Sequence, residues 1–382
     1  MRRRVRTAGS RRLGPRLAAF LALCACGGSD ASREVVQLAS LPPAPAPASN
    51  PFTPEKAELG RHLFYDVRLS AQRNVSCASC HRQANAFSDT TSTSLGTTGV
   101  PTSRNSMSLV NSGYAATLTW FNPLLHSLEA QALVPLVGES PVELGMSGRD
   151  GLLRARMLSE PRYQALFAAA FPGQSEPYTL QNVAAALSTF QRTLVSLRAP
   201  YDRFLAGDER ALDASAQAGL ALFSSARLGC THCHGGLLLS AAMATPSEGA
   251  PRARFENNGL RADHPPAHVG LFELSGDPRD LGKFKPPSLR NVAVTAPYMH
   301  DGSLASLGDV IDHYARGGVA SATKSPHVTG FALTAQERDD LLAFFDSLTD
   351  EPLQTDPRFA SPWSATDLAN ATDRTRPQPG ER

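Results

Sequence analysis

Apolar residues recur every three or four positions in several separated stretches of the chain, the period of an amphipathic helix. The first follows Thr53-Pro54-Glu55, where Thr53 can cap, Pro54 suits the first helical position, and Leu59, Leu63 and Phe64 come at helical spacing. Helical patterns follow over Asp150–Phe171, Leu180–Leu197, Ser215–Arg227 and Leu307–Tyr314. The last covers Thr334–Leu348, where Thr334 and Glu337 form a capping box and Leu341, Leu342, Phe345 and Leu348 share a face. Between these stretches the chain is polar and rich in turn residues, with 29 Pro and 29 Gly among 382 residues. The expected class is mainly α with long loops.

One apolar run has a different character. Seven arginines (Arg2, Arg3, Arg4, Arg6, Arg11, Arg12, Arg16) precede Leu17 to Ala25, the pattern of a secretory signal. The run is too short to span a bilayer. Leu23-Cys24-Ala25-Cys26-Gly27-Gly28-Ser29 resembles a bacterial lipobox, which predicts cleavage after residue 25 and a lipid anchor at Cys26. Ordinary signal cleavage a few residues later is the alternative. Residues 26–52, rich in Ala and Pro, read as a tether. Removing 1–25 turns the formal charge from +2 to about −5, since 30 basic residues then face 35 acidic ones. No basic patch remains for nucleic acid, and the lipid is the expected link to a membrane.

Six cysteines complete the composition; two lie in the leader and four in Cys77-Ala78-Ser79-Cys80-His81 and Cys230-Thr231-His232-Cys233-His234. Both stretches have the form C-x-x-C-H, a signature of covalent c-type haem attachment. Two thiols at that spacing meet the two vinyl groups of one porphyrin, and the next histidine reaches the iron. A redox dithiol or half a zinc site also uses C-x-x-C. Here each pair carries its own histidine, and the pairs lie far apart, so two haem c groups are expected. Each motif follows an amphipathic helix and precedes loops and further helices. This repeat predicts two tandem cytochrome c-like domains, 53–205 and 206–350, and a disordered tail over 351–382.

With these residues laid out, the chain resembles the bacterial di-haem cytochrome c peroxidase superfamily, in its MauG-like branch, nearest to the MbnH-type enzymes. The similarity runs from about Pro54 to Leu348. Its most specific parts are Leu59-Gly60-Arg61-His62-Leu63-Phe64-Tyr65-Asp66, Leu118 to Leu125, and Ala296 to Gly318. The resemblance implies that His81 is the proximal ligand of a peroxide-reactive first haem and His234 that of an electron-transfer second haem. The branch's tyrosine ligand, fourteen residues after the His of His300-Asp301-Gly302, falls on Tyr314. Read as residues alone, Met299 and His313 compete with it. On the first haem's distal side the family pattern maps to Gln131, Pro135 and Glu143, with Glu139 as the competitor of Glu143. The inter-haem tryptophan maps to Trp120, although strict spacing lands on Phe121. A calcium ion between the haems would take the Asn105 side chain and the carbonyls of Thr295 and Pro297, hard oxygen ligands for a hard cation.

The resemblance thus implies a periplasmic or envelope enzyme that uses hydrogen peroxide to reach a high-valent di-haem state. It would then oxidise a side chain of a protein partner, a tryptophan converted to kynurenine in a copper-binding protein. A conventional cytochrome c peroxidase fed by a small carrier is the alternative. A di-haem electron carrier would need a sixth ligand on each haem, for which the first half offers His62, Met107, His126 and Met146.

Overall fold

The computed structural model describes residues 43–245, 248–249 and 252–372; Cys26 and the leader lie outside them. Helix α1 (Pro54–Phe64) starts as its sequence dictates, with the Thr53 hydroxyl accepting from the Lys56 amide at 3.2 Å. After the first haem motif come α2 (Leu128–Val137), α3 (Asp150–Ser159), α4 (Pro161–Ala170) and α5 (Leu180–Thr193). The single pattern expected over Asp150–Phe171 is two helices. Pro161 lacks an amide hydrogen and pushes Glu160 into extended backbone, so the chain breaks there and restarts.

The second half holds α6 (Pro200–Leu205), α7 (Ala214–Phe223), α8 (Leu307–Ala315) and α9 (Ala335–Asp346). Two short helices, α10 (Glu351–Thr355) and α11 (Ala365–Thr372), follow. Among the described residues there are isolated bridges and no β-strand. The protein is mainly helical, as its periodicity predicts.

The two halves repeat one packing device. The helix before each haem motif crosses the last long helix of its half at a glycine. A Cβ on Gly60 in α1 would stand 2.0 Å from the Ala186 carbonyl oxygen of α5. One on Gly219 in α7 would stand 1.9 Å from that of Asp340 in α9. Only glycine allows such an approach, and it brings Leu59, Leu63 and Phe64 onto Val183, Leu187 and Phe190 in one core. Phe223 meets Leu341 and Phe344 in the other. Each fully buried Leu or Phe contributes about 1.5–3 kcal/mol.

A second repeated device ties loops to helix ends. Asn111 and Asn291 both adopt left-handed backbone, at φ 60° and 63°. The Asn111 amide donates to the Leu194 carbonyl and that of Asn291 to the Leu348 carbonyl. Their side-chain oxygens accept from the amides of Ser196 and Asp350. Asn291 also donates to the Ser196 hydroxyl at 3.0 Å, joining the halves. The cores change over between Leu194 and Tyr201, somewhat before residue 206.

Two expectations about the ends of the chain need correction. The tail from 351 is ordered through Thr372: Leu353, Phe359 and Trp363 are buried in the first core. Trp363 donates to the His62 carbonyl at 2.9 Å, and the Arg68 and Arg162 guanidiniums lie over its ring. An aromatic flanked by cations gains by burial what a polar, Pro-rich stretch otherwise lacks. The tether is also shorter than 26–52. Arg192 donates to the Pro45 carbonyl, Lys56 to the Pro51 carbonyl and to Asn50, and Asn50 to Glu129. Extended Pro-rich backbone leaves carbonyls free, and these basic side chains use them.

Candidate di-haem site

A cavity of about 1480 Å³ lies between the halves, lined by His81, Trp120, Gln131, Glu143, His234 and Tyr314 among others. Common small-molecule pockets are about 300–1,000 Å³. This one has room for more than one large cofactor.

The four motif cysteines are half-buried, and Cys230 and Cys233 line the cavity. Burial pushes Cys77 up to about 12 and Cys230 and Cys233 to about 11, keeping these thiols protonated. The histidines are arranged for iron. His81 Nδ1 meets the Phe87 carbonyl at 2.9 Å and His234 Nδ1 the Leu239 carbonyl at 3.3 Å. A carbonyl on Nδ1 fixes the tautomer and leaves Nε2 for a metal. Burial lowers both rings, His234 to about 4, so both are neutral at pH 7 as ligation requires.

Lys285 is a further sign of an absent anion. It is buried on the cavity wall, burial lowers its ammonium to about 8, and no carboxylate faces it among the described residues. Arg104 Nε, also on the wall, is buried without a partner. Acidic porphyrin side groups suit both. The residues present therefore fit two haem c groups.

On the first half's wall, Pro135 sits inside α2. Having no amide hydrogen, it leaves the Gln131 carbonyl without its helical partner. The Pro135 carbonyl instead accepts from the Leu144 amide at 2.9 Å, which draws the 141–145 loop against α2. The Thr97 amide donates to the Glu143 carbonyl at 2.7 Å, and Gly96 lets Val142 approach so closely that a Cβ would meet its oxygen at 2.0 Å. Glu143 thus stands on the wall with Gln131 and Pro135, and burial raises its carboxyl. Glu139 is exposed and accepts from Ser147.

Trp120 and Phe121 both line the cavity. The Trp120 indole donates to the Asn105 carbonyl at 2.8 Å, and its own carbonyl accepts from the Lys285 amide at 2.7 Å. Phe121 lies under the Arg104 guanidinium, 4.2 Å away. Asn105, Thr295 and Pro297 line the same cavity. The Asn105 amide group donates to the Thr91 carbonyl. No backbone hydrogen bond reaches the Thr295 or Pro297 carbonyl among the described residues. These oxygens are available to a cation.

On the second half's wall, α8 presents Tyr314, whose hydroxyl burial raises to about 12. Asn258 donates to that hydroxyl at 3.3 Å and to the Met299 sulfur at 3.2 Å. Met299 is on the wall; His313 is not, and its Nε2 meets the Asn258 carbonyl at 3.0 Å. Of the four candidate sixth ligands of the first haem, Met107 lines the cavity. His62 bonds its own helix, His126 is exposed, and Met146 is fully buried in the core. Asn258 and Lys285 were not singled out by sequence, because a lone Asn or Lys carries no spacing signal; only the fold brings them to the wall.

Known proteins resemble this chain in sequence and fold. Residues 54–210 match the di-haem cytochrome c peroxidase family model. The chain is 40% identical to the methylamine utilization protein MauG of Methylorubrum extorquens, over 81% of this chain and 82% of that protein. It is 36% identical to the cytochrome-c peroxidase IdrP1 of Denitromonas iodatirespirans, over 84% of this chain and 89% of the relative. A crystal structure of a MauG-like protein associated with microbial copper homeostasis superposes with a TM-score of 0.81. That protein is 44% identical, the match covering 85% of this chain and 97% of its own. The chain belongs to the di-haem cytochrome c peroxidase family and is a peroxide-dependent di-haem oxidoreductase.

Proposed function

We propose that this enzyme works in the cell envelope, takes electrons in pairs from a side chain of a partner protein, and passes them to hydrogen peroxide. Each turnover consumes two protons and yields two waters. The observation that carries this reading is Trp120: its indole is held by Asn105 of the first half and its carbonyl by Lys285 of the second. It stands on a cavity that His81 and His234 both line. An aromatic there can pass charge between the two centres.

Bound haem supplies the iron that exchanges electrons with peroxide. Glu143 supplies the proton traffic. As a carboxylate it accepts a proton from the inner oxygen of peroxide, and as an acid it returns that proton to the departing oxygen. Its apolar surroundings raise its carboxyl toward the range where both steps are accessible. Gln131 orients the peroxide, and Pro135 blocks that face to a protein ligand. Tyr314 would help hold the second haem's iron, where an anionic oxygen would favour the oxidised metal. Asn105, Thr295 and Pro297 hold a calcium ion between the halves.

With two haems filling the cavity, the partner's electrons would travel through the surface. On the likeness to the protein associated with copper homeostasis, the partner is a copper-binding protein whose tryptophan gives up four electrons to two peroxides, takes oxygen from water and releases one carbon as formate to end as kynurenine. Cys26 carries the lipid anchor.

The second reading is a conventional peroxidase reduced by a small carrier, favoured by Met299, which shares Asn258 with Tyr314. Electron paramagnetic resonance of the oxidised protein, before and after one equivalent of peroxide, separates the two. One high-spin and one low-spin ferric signal that vanish together support side-chain oxidation. No response until half-reduction supports the conventional peroxidase.

A further inference from the structure

At the edge of the cavity, which His300 also lines, three metal-ligating side chains converge. The ligand atoms of His268, His300 and Asp301 all lie within 4.8 Å of one another. His268 Nδ1 is 2.9 Å from His300 Nε2 and 3.8 Å from an Asp301 carboxylate oxygen. Ligands on a tetrahedral zinc, bonded at about 2.0–2.1 Å, stand about 3.3 Å apart. The two His268 spacings bracket that value, and the third pair lies within 4.8 Å.

A second observation points to the same place. His264 Nε2 is buried with no hydrogen-bond partner. His264, His268 and His300 line a common void of about 10 Å³, the room of one small ion. The His264 ring is held there by Gly282, at φ +73°, where a Cβ would lie 2.3 Å from the ring. His300 is fixed from behind by stacking on Phe284, with ring centroids 3.7 Å apart. Asp301 Oδ1 accepts from the Ser303 amide at 3.0 Å, leaving Oδ2 toward His268. Nearby charge is balanced. Arg104 is paired with Glu273, and Arg261 lies between Asp263 and Asp301.

We propose that His268, His300 and Asp301 bind one divalent transition ion of the zinc type, with His264 on the wall of the adjoining void. Imidazole and carboxylate donors suit that class, and they are distinct from the oxygen set of Asn105, Thr295 and Pro297. The ion cross-links the 264–268 loop to the turn that follows Pro297.

The test uses the purified di-haem protein, stripped with a chelator and titrated with zinc chloride. Elemental analysis after gel filtration should find one zinc per two irons. His268→Ala and Asp301→Asn should each weaken binding by about tenfold or more, while His126→Ala should bind as the parent does. Haem content shows that each variant has folded. Independently, crystals of the unmutated protein soaked in zinc should show anomalous scattering between His268 and His300. No bound zinc, zinc indifferent to both substitutions, or a peak elsewhere would overturn the proposal.

Discussion

The indole nitrogen of Trp120 donates to the backbone carbonyl of Asn105 at 2.8 Å, so a side chain between the halves is held by the residue offered as a calcium ligand. Trp120→Phe keeps an aromatic but loses that bond. Its haem content and the first haem's reaction with peroxide should be unchanged. The second haem's optical response to one equivalent of peroxide should slow by about tenfold or more. An unchanged stopped-flow trace at the second haem would remove Trp120 from the path.

The same bond links calcium to electron transfer. Dialysis against a calcium-selective chelator should uncouple the two ferric resonance signals, so that peroxide removes one and leaves the other. Calcium should restore the joint response and magnesium should not, because magnesium demands a tighter octahedron. A joint response that survives demonstrated calcium removal refutes the assignment.

Glu143→Gln preserves shape and removes proton exchange, and should slow the peroxide reaction by about 100-fold or more. Glu139→Gln, at an exposed position, should have no effect. The reaction needs the Glu143 carboxylate to receive a proton. Its rate should therefore fall as pH drops through a value above the ordinary carboxylate range, because burial raises this group. A rate–pH profile with the same acid limb in Glu143→Gln would show that another residue titrates.

Tyr314→Met replaces an oxygen donor with a thioether. The second haem's reduction potential should rise by a few hundred millivolts, part of the ~0.8 V that axial ligands span. Spectroelectrochemistry measures it. An unmoved potential would point to Met299, which shares Asn258 with the tyrosine.

Trp363→Ala should destabilise the first half by about 3 kcal/mol, the cost of emptying an aromatic site in a packed core. Thermal unfolding would show a lower Tm with both haems retained. A tail without structural role would leave Tm unchanged.

Much of the chemistry was written in local spacing. Two C-x-x-C-H stretches, a proline at the start of α1 and the Thr334 to Glu337 cap each act within a few residues, so they are legible without a fold. Helical periodicity likewise marked most of the helices that carry both cores, though not Leu128–Val137 or Pro200–Leu205. What local pattern could not supply were relationships across the chain. Trp363 reads as tail because burial depends on Tyr163 and two arginines distant in sequence. Glu143 and Glu139 are both acids on a polar loop; the Leu144 to Pro135 hydrogen bond puts one on the wall and leaves the other in water. Asn258, Lys285 and the His264–His268–His300 cluster acquire meaning only where loops from separate segments meet. Covalent haem attachment is a short-range requirement and is visible in sequence; burial and pairing of charge are long-range and were decided by the tertiary structure.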